Sequence, residues 1–334
     1  MIPKGFARYS DDMGIIAWVV FVPLQLLWLP ISIIGSAAVG IRQLLTSRRL
    51  GVSQTAVEII NGRWAMDVFG LADQSAARRL AQVLPNTSIA ALGAVLFPLW
   101  VARHIAGRPF VYPTAQPHSA LAVLNFVPWR TERIDSFLDD YSDSSQYVIL
   151  GSGLDTRGYG EPSSLSGRVW EVDTESNIRF KKLQTEKARL QSDSVTYVSA
   201  DFSDDSWPDS LRAAGFDESR RTVFLLEGVS LYLTRDQLVR TLAITASLAP
   251  AGSVLLMDVI SSDLASWAQR PLTRRLLALT DEEVHFGVDF RRTPLGHIDE
   301  LLTHTGLQRS RTELLAPERP RGAHYAIVEA VFSG

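Results

Sequence analysis

The sequence predicts a doubly wound α/β fold behind an apolar, helical N-terminal extension, and three observations carry that expectation. After about residue 140, short runs rich in β-branched and aromatic residues alternate with helix-length segments. Most of these runs stop at a glycine or an acid, as strands do when a ligand sits at their carboxyl ends. Ahead of them lies a stretch with too few charges for an ordinary soluble surface. The 334 residues leave room for about two or three units of domain size. Hydrophobic residues make up 46% and charged residues 21%, with a net charge of −3, so the chain has no cationic excess to hold a nucleic-acid backbone, and no nucleic-acid partner is expected. Cysteine is absent, which excludes disulfides, thiolate metal sites and a cysteine nucleophile. His104, His118, His285, His297, His304 and His324 are scattered without metal-ligand spacing, and no metal is expected.

Taken in order, the first element is the run from Gly14 to Ile41, which contains no charged side chain and exceeds the roughly 20 apolar residues a crossing helix needs. Residues 1–52 are therefore expected to be a membrane anchor with one transmembrane helix over 14–41. A buried core helix and an interfacial hairpin are the competing readings. Pro23 and Pro30 are tolerated in such a helix, and Trp18 and Trp28 suit the membrane interface. A second stretch, Ala81–Ala102, has Gln82, Asn86, Thr87 and Ser88 in its first third, so it is expected to re-enter, to lie in the interface or to pack on the protein. Between the two stretches stand Arg42, Arg48, Arg49, Arg63, Arg78 and Arg79, which by the positive-inside rule place this segment and the catalytic domain on the cytoplasmic side. Residues 53–140 are read as a helical cap.

The core is expected over residues 141–334. Its strands are Tyr147–Leu150, Arg168–Val172, Val195–Ser199, Thr222–Leu226 and Ser253–Val259. Thr174–Leu190 and Thr234–Leu248 have helical length, the latter placing Leu238, Leu242 and Ala246 on one stripe. Gly306–Leu314 and His324–Phe332, joined by APERPRG, read as a closing antiparallel pair.

At the carboxyl ends of those strands lie Gly151, Gly153 and Asp155, then Asp173, Asp201 and Glu227. The first loop lacks the third glycine of a dinucleotide-binding loop and the lysine of a P-loop, and four acids would repel a pyrophosphate. The ligand is expected to be cationic and hydroxyl-bearing. S-adenosylmethionine, with an amine, a sulfonium and two ribose hydroxyls, has all of these groups.

The motifs YVILGSGLDTRGYG (147–160), VWEVD (169–173), SADF (199–202) and LLEGVSLYL (225–233), with WRTERID (129–135) upstream, resemble the leucine carboxyl methyltransferase family of class I S-adenosylmethionine-dependent methyltransferases. The likeness covers roughly residues 125–334. It implies a seven-stranded Rossmann-like sheet with the last strand antiparallel. It also implies roles: Gly151 and Gly153 under the methionine moiety with Asp155 fixing the loop, Arg130 facing the cofactor carboxylate, and Asp173 on the ribose. Asp201 and Phe202 fall beside adenine, Glu227 near the methionine end and Tyr232 near the methyl-transfer pocket. Glu227 and Tyr232 are the expected catalytic residues. Arg157 either braces Asp155 or steers an anionic acceptor.

The expected activity is methyl transfer to a carboxylate or hydroxyl oxygen. The oily lead before Pro113 departs from the family's short helical lead and points to a small lipophilic acceptor and to membrane lipid as a partner. Two other readings stay open: a membrane-tethered S-adenosylmethionine-binding protein without turnover, and a nicotinamide-dependent oxidoreductase on a similar sheet.

Overall fold

The computed structural model describes residues 4–116, 121–122, 124–159, 165–190, 193–202, 204–280, 282–291, 293–318 and 322–333. His118, Gly160 and residues 319–321 of the final turn lie outside the described residues.

Seven strands form one sheet: β1 (Gln146–Leu150), β2 (Arg168–Asp173), β3 (Val195–Ser199), β4 (Val223–Leu226), β5 (Val254–Ile260), β6 (Leu307–Leu315) and β7 (Tyr325–Phe332). Their order is β3-β2-β1-β4-β5-β7-β6. The first five are parallel, and β7 runs antiparallel between β5 and β6, as the family likeness implies. The sequence order reverses between β1 and β4, which makes their carboxyl ends the switch point where ligands bind in such sheets.

Alternation along the strands sends side chains to two apolar layers. Val148, Leu150, Trp170, Phe224 and Leu226 share one cluster with residues of α7 (Trp207–Ala213), α8 (Arg235–Ser247) and α11 (Pro294–Leu302). Tyr147, Ile149, Val169, Leu225 and Leu256 pack on the other face against Trp129, Ile134 and Phe137 of α5 (Phe126–Asp139). Both faces are covered, which is why these strands read as continuous apolar runs. The helix α5, placed by the sequence in the cap, is thus part of the sheet layer.

The extension consists of α1 (Lys4–Leu50), α2 (Gln54–Phe69), α3 (Ser75–Val83) and α4 (Ile89–Ala106). The second apolar stretch is split: its first residues end α3, and the polar Asn86, Thr87 and Ser88 form the turn into α4, with Ser88 as N-cap. Helices α2 and α3 are welded to the core by Ile60, Trp64, Leu80, Leu154, Tyr159 and Leu190. Each end of α4 is tied to α2, where Thr87 donates to Asn61 at 2.7 Å and Arg103 donates to the Phe69 carbonyl at 2.9 Å.

Helix α1 has 47 residues, about 70 Å at 1.5 Å per residue. It lies antiparallel along α4. Near one end, Asn86 donates to Ser47 at 2.9 Å. In the middle, Trp28 donates to the Ala94 carbonyl at 2.8 Å. Towards the other end, the Trp18 and Phe110 rings meet at 4.8 Å. A methyl at Gly35 would come within 2.7 Å of Val95, so glycine lets the two helices close up. The expected crossing over 14–41 is thus a section of a longer helix that packs along α4. Its outer side is apolar and exposed, with Leu27 at 79% and Ile34 at 70%. Both apolar helices are long enough to cross a membrane by length and composition.

The arginines used above as topology signals are partly spent inside the protein. Arg79 donates to the carbonyls of Ala188 and Arg189, just past the end of α6 (Glu175–Lys187), and Arg78 pairs with Asp67 at 3.0 Å. Arg63 is buried.

Candidate functional site

A cavity of about 960 Å³ opens at the carboxyl ends of the central strands. The loop after β1 forms its floor. Gly151 has φ +68° and Gly153 φ +43°, a region that costs other residues energy. A methyl at Gly151 would also fall 2.3 Å from Val229, so glycine there admits the segment after β4.

Asp173, at the end of β2, ties this loop: its Oδ2 accepts from Gly153 N at 2.7 Å, and its Oδ1 accepts from Thr174 N and from Asn177 at 2.7 and 2.8 Å. Behind the loop Lys181 is fully buried, 2.7 Å from Glu171 and 3.4 Å from the Ser152 carbonyl. Tyr159 donates to the same Glu171 carboxylate at 2.9 Å.

Beyond β1 the acids meet arginines from several elements. Glu227 is 2.6 Å from Arg157, 2.9 Å from Arg130 and 3.6 Å from Arg63. Asp155 is 2.6 Å from Arg157 and 3.4 Å from Arg63, and it also accepts from Arg157 N at 2.8 Å. Arg157 further holds Asp135 at 2.6 Å. Arg157 thus contacts Asp155 through both its side chain and its backbone N–H. Burial alone would raise both acids, but the guanidiniums outweigh it: Arg157 and Arg63, with Lys181, hold Asp155 well below its ordinary range, and Arg157, Arg130 and Arg63 lower Glu227. A carboxylate so held is a poor proton acceptor. Glu227, expected to be catalytic, lies against three guanidiniums in this structure.

Arg130, on α5, lines the cavity and also contacts Asp258 at 3.4 Å and Tyr325 at 3.2 Å. Asp258 in turn accepts from Gly228 N at 2.8 Å and from the Tyr325 hydroxyl. Asp201 and Phe202 line the far side, where Phe202 packs edge-on against Trp207 at 5.5 Å. The N-cap of α7 is Ser206, so Asp201 does not cap that helix. Tyr232 sits in the turn Ser230–Tyr232, its hydroxyl 2.6 Å from that of Thr55 on α2. Burial and the nearby Glu282 push its phenol up, so at neutral pH it stays protonated.

All the expected site residues except Arg157 line this one cavity. Sequence reasoning missed Arg63, Asp258, Thr55 and Glu282. Arg63 and Asp258 carried a signal: each is a lone charge in an apolar run, in IINGRWAM and VLLMDVI, where an ion is tolerated only if paired.

The donor set fits S-adenosylmethionine. Arg63 Nε, Arg130 Nε and Ser152 Oγ are buried in the cavity wall without a hydrogen-bond partner among the described residues, which suits the carboxylate of an amino acid. Asp173 and Asp201 suit hydroxyls and an amine.

Comparison with known proteins agrees with this reading. The family model described as leucine carboxyl methyltransferase matches residues 92–246. A protein of Mycobacterium sp. (strain JLS), named "Putative S-adenosyl-L-methionine-dependent methyltransferase", is 34% identical over 192 residues, covering 55% of this chain and 61% of the relative. A Mycolicibacterium smegmatis protein named in the same words is 28% identical over 277 residues, covering 79% and 86%. The match thus spans about three-fifths of the first relative's length. Among solved structures, a magnesium protoporphyrin IX methyltransferase from Synechocystis aligns with TM-score 0.42 and 14% identity, over 67% of this chain and 91% of that one. In its motifs, and over the matched residues, the chain resembles the leucine carboxyl methyltransferase family of S-adenosylmethionine-dependent methyltransferases.

Proposed function

We propose that this chain is an S-adenosylmethionine-dependent O-methyltransferase that works at a membrane surface on a small lipophilic acceptor. The observation that carries the reading is the cavity itself, which Asp173, the Gly151–Gly153 loop and the two buried arginines Arg63 and Arg130 line together. Asp173 would hold the ribose hydroxyls, and Asp201 and Phe202 the adenine. Arg130 and Arg63 would hold the amino-acid carboxylate. The bound cofactor supplies an already activated methyl group, so the protein's task is to align the acceptor and exclude water. The loop after β1 lacks the third glycine of a dinucleotide-binding loop, which argues against the oxidoreductase reading.

Membrane seating follows from the extension. Because α4 is tied to α2 at both ends and α1 lies along α4, a crossing by α1 would drag charged parts of the body into the bilayer. We therefore infer that α1 lies in the plane of the cytoplasmic leaflet, its apolar outer side in the acyl boundary and Arg48 and Arg49, exposed at its end, among the headgroups. The cavity is lined by Gly51 and Val52, the residues that follow α1, so an acceptor dissolved in the membrane reaches the site without crossing water.

The test is methyl transfer from labelled S-adenosylmethionine into a lipid extract presented in vesicles. Label in an apolar, base-labile or base-stable product supports the reading and separates ester from ether. Cofactor binding without label in any extract would favour the binding protein without turnover.

A further inference from the structure

Strand order divides the cavity. Asp173, Asp201 and Phe202 stand at the β2–β3 side, whereas Thr55, Tyr232 and Glu282 stand at the β4–β5 side, beside the end of α1. At this second side Glu282, only 7% exposed, accepts the Ser53 hydroxyl at 2.5 Å, Thr55 N at 3.2 Å and the Thr55 hydroxyl. The Thr55 hydroxyl lies 2.6 Å from that of Tyr232. Leu231 and Val52 supply apolar wall, and the Leu231 carbonyl accepts His285 N at 2.8 Å. The two cavity arginines are drawn to the other acids: Arg130 lies between Glu227 and Asp258, and Arg63 between Glu227 and Asp155.

We propose, on the methyltransferase reading above, that the acceptor is a neutral hydroxyl, a phenol or alcohol on an apolar body, and that Glu282 takes its proton. A carboxylate acceptor would bring a second negative charge against Glu282, and two ionised carboxyls in contact repel strongly. A hydroxyl donates to Glu282 instead. As the acceptor oxygen forms its bond to the methyl carbon, the carbon–sulfur bond breaks and its electron pair stays on sulfur as a thioether, while the hydroxyl proton passes to the Glu282 carboxylate. The products are an ether, the neutral thioether and a protonated Glu282 that returns its proton to water. Glu227 is engaged by three guanidiniums, whereas the Glu282 contacts named above are hydroxyl and amide donors on the acceptor side.

The test compares para-octylphenol with para-octylbenzoate on full-length, detergent-purified protein loaded with S-adenosylhomocysteine, for the wild type and for Glu282→Gln. Calorimetry of S-adenosylhomocysteine itself is run first, because failure there overturns the methyltransferase reading rather than this assignment alone. The expected result is a crossover. The wild type binds the phenol at least tenfold more tightly than the benzoate, and E282Q weakens the phenol about tenfold and tightens the benzoate, with S-adenosylhomocysteine affinity unchanged. Methyl transfer to the phenol falls about 100-fold or more in E282Q, and the loss shrinks for a nitrophenol already ionised at the assay pH. Equal or tighter benzoate binding by the wild type, or an E282Q protein with wild-type preference and pH profile, would overturn the assignment.

Discussion

Replacing Arg63 with methionine tests whether the extension belongs to the site. Arg63 comes from α2, far from the core in sequence, yet its guanidinium stands 3.4 Å from Asp155 and 3.6 Å from Glu227 with only 2% of its side chain exposed. Removing one partner of a buried ion pair commonly costs about 3–5 kcal/mol, because the other is left uncompensated. Here each acid keeps a guanidinium at 2.6 Å, that of Arg157, so the low end applies, about 3 kcal/mol. At about 2.1 cal/mol/K of unfolding entropy per residue, that lowers the melting midpoint of a 334-residue chain by about 4 °C. Differential scanning calorimetry reads the stability loss. Titration with S-adenosylhomocysteine reads a second effect: loss of the Nε donor to the ligand carboxylate weakens binding by about tenfold, the worth of one charge-assisted hydrogen bond. An R63M protein with wild-type melting and wild-type affinity would refute the placement of α2 in the site.

Further outcomes follow from the same geometry. Lys181→Met leaves Glu171 buried without its cation and the Ser152 carbonyl without its donor; a cost of about 3–5 kcal/mol in thermal unfolding is expected, with weaker cofactor binding as the loop loosens. Gly151→Ala adds left-handed backbone strain of about 1–2 kcal/mol and drives a methyl into Val229, so cofactor titration should show lost affinity, whereas Gly215→Ala, equally left-handed but with open space, should not. Asp155 and Glu227 are held below their ordinary values of 3.8 and 4.5, so their stabilisation is complete above those values and is lost as pH falls through the lower folded ones; acid unfolding followed by circular dichroism should lose part of this dependence in Asp155→Asn. In the extension, Leu27→Glu or Ile34→Glu should abolish flotation with vesicles, and each of Arg48→Gln and Arg49→Gln should weaken binding to anionic vesicles about fivefold.

The core was legible because its strands are buried on both faces and end in chemistry. Every strand read from the sequence lies within about one residue of where it forms, and the loop glycines and strand-end acids line one cavity. The extension was less legible. Length and hydropathy report that α1 avoids water, but not whether lipid or protein meets it, and the close approach of Gly35 to Val95 is a tertiary fact. The second apolar stretch broke where Asn86, Thr87 and Ser88 offered polar side chains to neighbours and a cap. The surroundings of Glu227 were hidden for a similar reason: its position after β4 shows in the motif, while the three arginines around it come from α2, α5 and the loop after β1. Glu282 gave no local signal, because Ser53 and Thr55, its partners, are more than two hundred residues away.

The central claim is that this cavity takes S-adenosylmethionine, and calorimetric titration of the detergent-purified chain with S-adenosylhomocysteine tests it most directly, with NADH as the competing ligand and Asp173→Ala as the control. The account predicts micromolar binding of S-adenosylhomocysteine alone, weakened about 100-fold in the variant, which loses both the ribose acceptor and the Gly153 tie. Binding of NADH instead, or affinity for S-adenosylhomocysteine that survives the loss of Asp173, would contradict it.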